Sequence, residues 1–183
     1  MIRRILVMVV ILSFSIYLAA DKVNKTTEIE KVQLDYETGF VGTGMEEKAI
    51  PDLRGTPQQA KEMTLSAYNY LMENGKDMAF QQFMNTDSDF FFLDLYIFVI
   101  DMQGNMLSHG RDGSLVNRNL YDLKDSKGIL FIQKFIDLMG NNDESWTDYY
   151  WRNYVTNEIE AKLTYLKKID ENTFMGCGAY YWK

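Results

Sequence analysis

Residues Leu93 to Ile100 read LDLYIFVI, and the reading of this octapeptide decides the fold. β-Branched and aromatic residues dominate it, and apolar side chains are nearly continuous, as in a strand covered on both faces. Asp101-Met102-Gln103-Gly104-Asn105 follows as a turn with glycine where φ can be positive, and Met106 to His109 returns as a second strand. A hairpin implies an antiparallel sheet, and helices must cover its apolar faces.

Working outward, Thr56-Pro57 predicts a helix start, because threonine caps and proline suits the first helical position. Ala60, Met63, Thr64, Ala67, Tyr68 and Leu71 then recur at helical spacing until Asn74-Gly75 ends the element. A shorter helix is expected over Asp77 to Met84, and an irregular connection over Gly110 to Lys124. Ser126 to Met139 predicts a helix with Ile129, Ile132, Phe135, Ile136 and Met139 on one face, closed by Gly140. Three more strands, Trp146 to Asn153, Glu160 to Ile169 and Thr173 to Trp182, are joined by turns at Val155-Thr156-Asn157-Glu158 and Asp170-Glu171-Asn172. The order is helix, helix, two strands, helix, three strands. That is an α+β fold: a five-stranded antiparallel sheet with a long helix on one face and a ligand cavity on the other.

The whole chain bounds what such a fold does. Its 183 residues suffice for one domain, and 46% hydrophobic content excludes global disorder. A formal charge of −7 disfavours nucleic acid and anionic membranes as partners, because such a surface repels phosphate. Arg3 and Arg4 precede an apolar run of 16 residues, Ile5 to Ala20, which ends in Leu18-Ala19-Ala20. This is the layout of a cleaved signal peptide, and the run is short of the roughly 20 residues that span a bilayer. An N-terminal membrane anchor is the alternative, and either way the folded part is exported, periplasmic or secreted. Residues 21–50 are polar with Gly39, Gly42 and Gly44 and no sustained period, and order begins at Thr56-Pro57. The expected layout is therefore a signal peptide at 1–20, a linker at 21–55 and a domain at 56–183.

Chemistry-bearing motifs are sparse. His109 is the only histidine, and no GxSxG motif or Cys–His pairing stands near it to make a nucleophilic triad; one His and one Cys cannot supply the four ligands of a structural zinc site. No phosphate-binding glycine motif or EF-hand loop is present. No catalytic residue, metal or cofactor is expected, and an enzyme is unsupported. A binding site is the better reading, because aromatics with polar tips concentrate in the last three strands: Tyr149, Tyr150, Trp151, Tyr154, Tyr165, Tyr180, Tyr181 and Trp182. A buried phenol or indole needs a hydrogen-bond partner, which an ordinary core avoids. By the strand period of two, Tyr149, Trp151 and Asn153 share one face, while Asp148, Tyr150 and Arg152 take the other. Lys162, among apolar neighbours in EAKLTYLKK, is either an exposed strand residue snorkelling at an edge or a cation lining a pocket for a small anion. His109 and Trp151 each admit a structural role or a ligand contact.

Several blocks, in order and spacing, resemble the single Cache domain family. They are Phe90 to Gly110 (FFFLDLYIFVIDMQGNMLSHG), Leu115 to Leu120 (LVNRNL) with Asp125-Ser126-Lys127-Gly128, Trp146 to Asn153, Lys162 to Tyr165, and Gly176-Cys177-Gly178-Ala179-Tyr180. The resemblance covers about Pro57 to Lys183 and implies a PAS-like extracytoplasmic sensor fold. Cache domains commonly bind small molecules, often carboxylates or amino acids, and usually form the outer half of chemoreceptors or sensor kinases; a stand-alone secreted form resembles this chain. By motif position the pocket wall would come from Tyr96, His109, Tyr149, Trp151, Lys162 and Tyr165, with Gly178 allowing close approach; Asn153 joins them by sharing the face of Tyr149 and Trp151. Lys162 and His109, neutral or protonated, would compensate ligand charge. The chain departs from the family pattern at Asn117, where glycine is usual, and at Tyr154, where proline is usual. The implied role is sensing of a small carboxylate or amino-acid-like metabolite, in signal transduction or chemotaxis, through a membrane receptor or sensor kinase. The alternative is an interaction module with a closed cavity that docks on a membrane receptor or forms a homodimer.

Overall fold

The computed structural model describes residues 54–181, so the signal peptide and nearly all of the linker expected before Thr56 lie outside the described residues. Helix α1 (Pro57–Asn74) opens on a capping box. The Thr56 hydroxyl accepts from the Gln59 N–H at 3.2 Å, and the Gln59 side chain accepts from the Thr56 N–H at 2.9 Å. Two otherwise orphaned donors are satisfied reciprocally, with Pro57 at the first helical position. Ala60, Met63, Thr64, Ala67 and Leu71 are its buried face, as the spacing predicts. Helix α2 (Lys76–Phe83) follows after Gly75.

The run LDLYIFVI is not one strand. Strands β1 (Phe91–Phe92) and β2 (Leu95–Tyr96) form a small hairpin, and β3 (Phe98–Asp101) begins only after it. The reversal falls on Leu93, at φ 56°, and on Asp94, whose carboxylate accepts from the Gly55 N–H at 2.7 Å. A tertiary hydrogen bond to the start of α1 therefore anchors the turn, and hydrophobic periodicity carries no trace of it. The hairpin from β3 to β4 (Met106–His109) forms as expected, with Gly104 at φ 87°. Asn117 takes φ 66°, so the turn survives the replacement of the family's glycine.

Strands β5 (Glu144–Arg152), β6 (Ile159–Asp170) and β7 (Thr173–Tyr181) complete a five-stranded antiparallel sheet in the order β4-β3-β7-β6-β5. Helices α1 and α2 cover one face, over Val99, Met175, Cys177 and Ala179. Helix α3 (Phe131–Asn141) covers the other, over Phe98, Ile100, Leu166 and Phe174. The α+β class and sheet are those expected, but α3 differs at both ends. It begins at Phe131 rather than Ser126, because Asp125 holds the preceding loop by accepting from the Lys127 and Ile129 N–H groups at 2.8 and 2.9 Å. Ile129 is consequently 44% exposed instead of part of the packed face, and Gly140 lies inside the helix rather than closing it. Among the described residues, no helix is long and apolar enough to cross a membrane.

Phe135 is buried against Phe98 and Tyr149, whereas Ile129 packs on no core, so truncating them should separate sharply. Phe135→Ala should lower unfolding stability by about 3–5 kcal/mol and Ile129→Ala by no more than about 0.5 kcal/mol, read from urea denaturation. Equal losses would contradict the helix boundary.

Candidate functional site

Antiparallel register stacks the residues of interest in rows across the α3 face. Tyr149 of β5, Lys162 of β6 and Tyr180 of β7 are directly opposed, and the next row is Thr147, Thr164 and Gly178. Trp151 stands opposite Glu160, while Phe98 pairs with both His109 and Gly176. Opposed residues share a face, so Tyr149, Trp151, Lys162, His109 and Gly178 all meet on one side. Tyr96, two residues before Phe98 along the chain, joins them.

Lys162 is 0% exposed. Its Nζ lies 3.9 Å from the Tyr96 ring centroid and 4.6 Å from that of Tyr180, and it donates to the Tyr180 hydroxyl only at 3.5 Å. The Tyr180 hydroxyl itself donates to the Arg152 carbonyl at 2.6 Å. Two π faces and one long hydrogen bond are thin compensation for a desolvated ammonium. Burial accordingly pushes the lysine down to about 8, with Cys177 first and the Asp94 carboxylate second pulling it back up. Gly178 makes this placement sterically feasible: a Cβ there would sit 2.1 Å from Thr164 Oγ1 and 2.8 Å from Lys162 Cε.

A cavity of about 20 Å³ lies between this face and α3, lined by Tyr96, His109, Tyr149 and Trp151 together with Phe131 and Phe135 and further apolar side chains. That volume holds about one water-sized occupant. Tyr149 stacks on Phe131 at 4.5 Å, and burial raises its phenol well above the usual range. His109 Nδ1 accepts from the Arg111 and Asp112 N–H groups at 3.3 and 2.8 Å, which leaves the proton on Nε2. Burial first, and Lys162 second, depress its pKa to about 3. His109 is thus a neutral donor at physiological pH and not a second cation.

A smaller cavity of about 10 Å³ also borders Tyr96, lined with it by Leu93, Asp94, Arg111, Tyr154 and Val155. Tyr154 closes its rim, donating to Asp112 Oδ2 at 3.1 Å, with the Arg111 guanidinium 5.6 Å from its ring. Tyr96 lines both cavities and its ring covers the Lys162 ammonium, while Lys162 itself lines neither.

Two predicted site residues are placed elsewhere. Tyr165 lies on the opposite face, under α1, where its hydroxyl bonds to Glu144 and Lys61 sits 5.0 Å over its ring. Three positions along a strand from Lys162 is an odd step, and the period of two puts the pair on opposite faces. Asn153 is buried but lines neither cavity; it fastens the β5–β6 turn, donating to Glu160 Oε2 at 3.0 Å and accepting from the Val155 N–H at 2.9 Å. Asp94 and Arg111 line the smaller cavity without belonging to the residues that motif position singles out. The lone acid within LDLY was the available signal for Asp94, since an ionisable group inside an apolar run needs a reason. Among the described residues, no group of three or more His, Cys, Asp or Glu side chains is placed to hold a metal ion.

Comparison with known proteins agrees with this architecture. The family model described as Single Cache domain 2 matches residues 46–182, beginning inside the segment read as linker. A methyl-accepting chemotaxis protein from Vibrio parahaemolyticus is similar at 23% identity and TM-score 0.58, over 67% of this chain and 86% of that one. The periplasmic sensor domain of a chemotaxis protein is similar at 17% identity and TM-score 0.54, over 68% and 90%. A Cache chemosensory domain described for carboxylic acid recognition is similar at 18% identity and TM-score 0.55, over 68% and 88%. No curated protein matches the chain.

Two variants test the geometry. Gly178→Ala should destabilise by about 1–3 kcal/mol through overpacking against Thr164 and Lys162, seen as a lower urea midpoint; a neutral result would mean that β7 can move away from the lysine. For His109, the unfolded chain binds a proton near pH 6.5 and the folded one only near pH 3, so the unfolded state carries the extra proton in between. Stability should therefore fall as pH drops through that window, by up to about 1.4 kcal/mol per unit. His109→Asn keeps an acceptor for the Asp112 N–H and should flatten the loss between pH 6.5 and 5.

Proposed function

The chain belongs to the Single Cache domain 2 family, and from that premise we propose that it is an extracytoplasmic sensor domain that binds a small carboxylate. Cache domains are ligand-binding sensor modules rather than catalytic ones. The observation that carries the ligand class is Lys162, a fully buried ammonium without a carboxylate partner among the described residues, on the face that also presents the neutral N–H of His109 and the Tyr149 phenol. A buried charge of this kind is expensive unless a counter-ion completes it. A structural relative that recognises carboxylic acids supports the same class. In this reading Lys162 supplies the charge, His109 and Tyr149 orient the carboxylate, and Phe131 and Trp151 exclude water. Residues 1–20 direct export to the periplasm or the medium, residues 21–55 link, and residues 56–183 sense. Output passes to a membrane receptor or sensor kinase in signal transduction or chemotaxis.

The cavity volume of about 20 Å³ supports a second reading, an interaction module whose cavity stays shut and which docks on a receptor or on a second copy. In the ligand reading, a carboxylate reaches the ammonium by displacing the Tyr96 ring that covers it. The buried lysine favours the ligand reading, because a permanently closed site gains nothing from an ammonium that an apolar residue would replace with a gain in stability.

Thermal-shift measurements against short monocarboxylates and amino acids decide between them. A ligand at 100 times its dissociation constant contributes about 2.7 kcal/mol, a readily visible shift. Lys162→Met should weaken that binding tenfold or more, as expected for a charge-assisted hydrogen bond of about 1.5–3 kcal/mol. The same variant should melt at a higher temperature than the wild type without ligand. No stabilisation by any compound, or undiminished binding in Lys162→Met, would sink the carboxylate reading.

A further inference from the structure

The two edges of the sheet are finished differently. Strand β4 is covered by its own chain: the Met106 N–H donates to the Arg118 carbonyl at 2.9 Å, and the Asn117 N–H donates to the Met106 carbonyl at 2.8 Å. Strand β5, nine residues long, has no strand on its outer side among the described residues. Two side chains stand there instead. Asp125 Oδ2 accepts from the Tyr150 N–H at 3.1 Å, and Lys134 Nζ donates to the Asp148 carbonyl at 3.3 Å. An uncovered edge is a template for another strand, and natural proteins blunt such edges with charges.

The groups these side chains hold are the ones that strand pairing would use. Backbone groups alternate between the two sides of a strand, so those of Asp148 and Tyr150 both point away from β6. Two copies of β5 related by a two-fold axis at Tyr149 would set Asp148 of one opposite Tyr150 of the other. The Tyr150 N–H of each copy would then donate to the Asp148 carbonyl of its mate, the two groups that Asp125 and Lys134 occupy within one chain. The same register sets Trp146, which is 38% exposed, opposite Arg152 of the second copy and brings no like charges face to face.

The two guards are held unequally. Lys134 and Asp148 form an ion pair at 3.6 Å with both side chains more than 40% exposed, a kind of pair that contributes little. Asp125 is buried and also accepts from the Lys127 and Ile129 N–H groups, so the position of its loop sets whether the Tyr150 N–H is covered. That loop runs into Phe131, which lines the larger cavity and stacks on Tyr149. A shift at the start of α3 would carry Asp125 off the edge.

We propose that the outer edge of β5 is a pairing surface for a second copy of this chain, held shut by Asp125 and Lys134 and opened when the loop carrying Asp125 moves. Two chains then join their sheets antiparallel through β5. Such pairing is independent of what the cavity binds.

Sedimentation equilibrium on the purified protein tests this, comparing the wild type with Asp125→Ala and Lys134→Ala, each alone and combined with Asp148→Pro. Loss of a guard should lower the dimer dissociation constant about tenfold or more, because the two-fold axis makes every hydrogen bond gained count twice. Asp148→Pro keeps the carbonyl but removes the outward N–H, and it should return either variant to wild-type behaviour. A gain in either single variant that is lost with the proline supports the pairing. If neither folded variant associates more tightly than the wild type, or if the gain survives Asp148→Pro, the proposal is overturned. Should Asp125→Ala fail to fold, as judged by circular dichroism, Lys134→Ala decides alone. Should the proline variants fail, Trp146→Lys takes their place, since it sets like charges opposite Arg152 in the same register.

Discussion

The placement of the Lys162 ammonium between two tyrosine rings is the constraint around which the α3 face of this sheet is built. A lysine in the second strand from the sheet's edge, fully buried and 3.9 Å from a ring centroid, has desolvation against it at every point. Its neighbours follow from that. Position 178 has to lack a Cβ so that the aliphatic stem can lie across β7. Tyr96 and Tyr180 have to present faces rather than edges, since only the face carries negative potential. The Tyr180 hydroxyl is fixed in turn by the Arg152 carbonyl, which ties the ring to the end of β5.

Two buried carboxylates connect this region to the start of α1. Asp94 accepts from the Gly55 N–H, and Glu160 pairs with Arg54 at 3.2 Å while also accepting from Thr156 at 2.6 Å and Asn153 at 3.0 Å. Glu160 belongs to the row next to Tyr149 and Lys162 on the same face, and Asp94 lines the smaller cavity. The β1–β2 hairpin, the β5–β6 turn and the first residues before α1 are therefore held by groups that also border the site. Rearrangement of Tyr96 would act on residues already bonded to that junction.

Much of the architecture was legible in the chain because short-range physics dictates it. The capping box at Thr56, the glycine turn at 104 and the alternation along Tyr149, Tyr150, Trp151 and Arg152 are local patterns with local causes. That alternation separated Tyr149 and Trp151, which line the larger cavity, from Tyr150 and Arg152, which do not. The errors share one origin. Asp125 caps a loop where periodicity continues a helix, Asp94 turns a chain where composition continues a strand, and Asn153 spends its amide on a turn. In each a polar side chain found a partner that amphipathic spacing cannot register. Tyr165 parts from Lys162 for a different reason: three positions along β6 turn its side chain to the opposite face, whatever motif the two share.

What the chain alone determined was the α+β layering and the face each strand residue takes, since backbone geometry alternates side chains regardless of context. It left Lys162 balanced between an edge residue in water and a pocket cation, because a strand's place in the sheet is not written in its own residues. Tertiary structure decided that β6 lies between β5 and β7, beneath Tyr96, where water is excluded and the ammonium has no counter-ion among the described residues. It likewise set Asp94 in the β1–β2 reversal, buried and bonded to Gly55, since a buried charge takes its character from groups distant in sequence that pack around it.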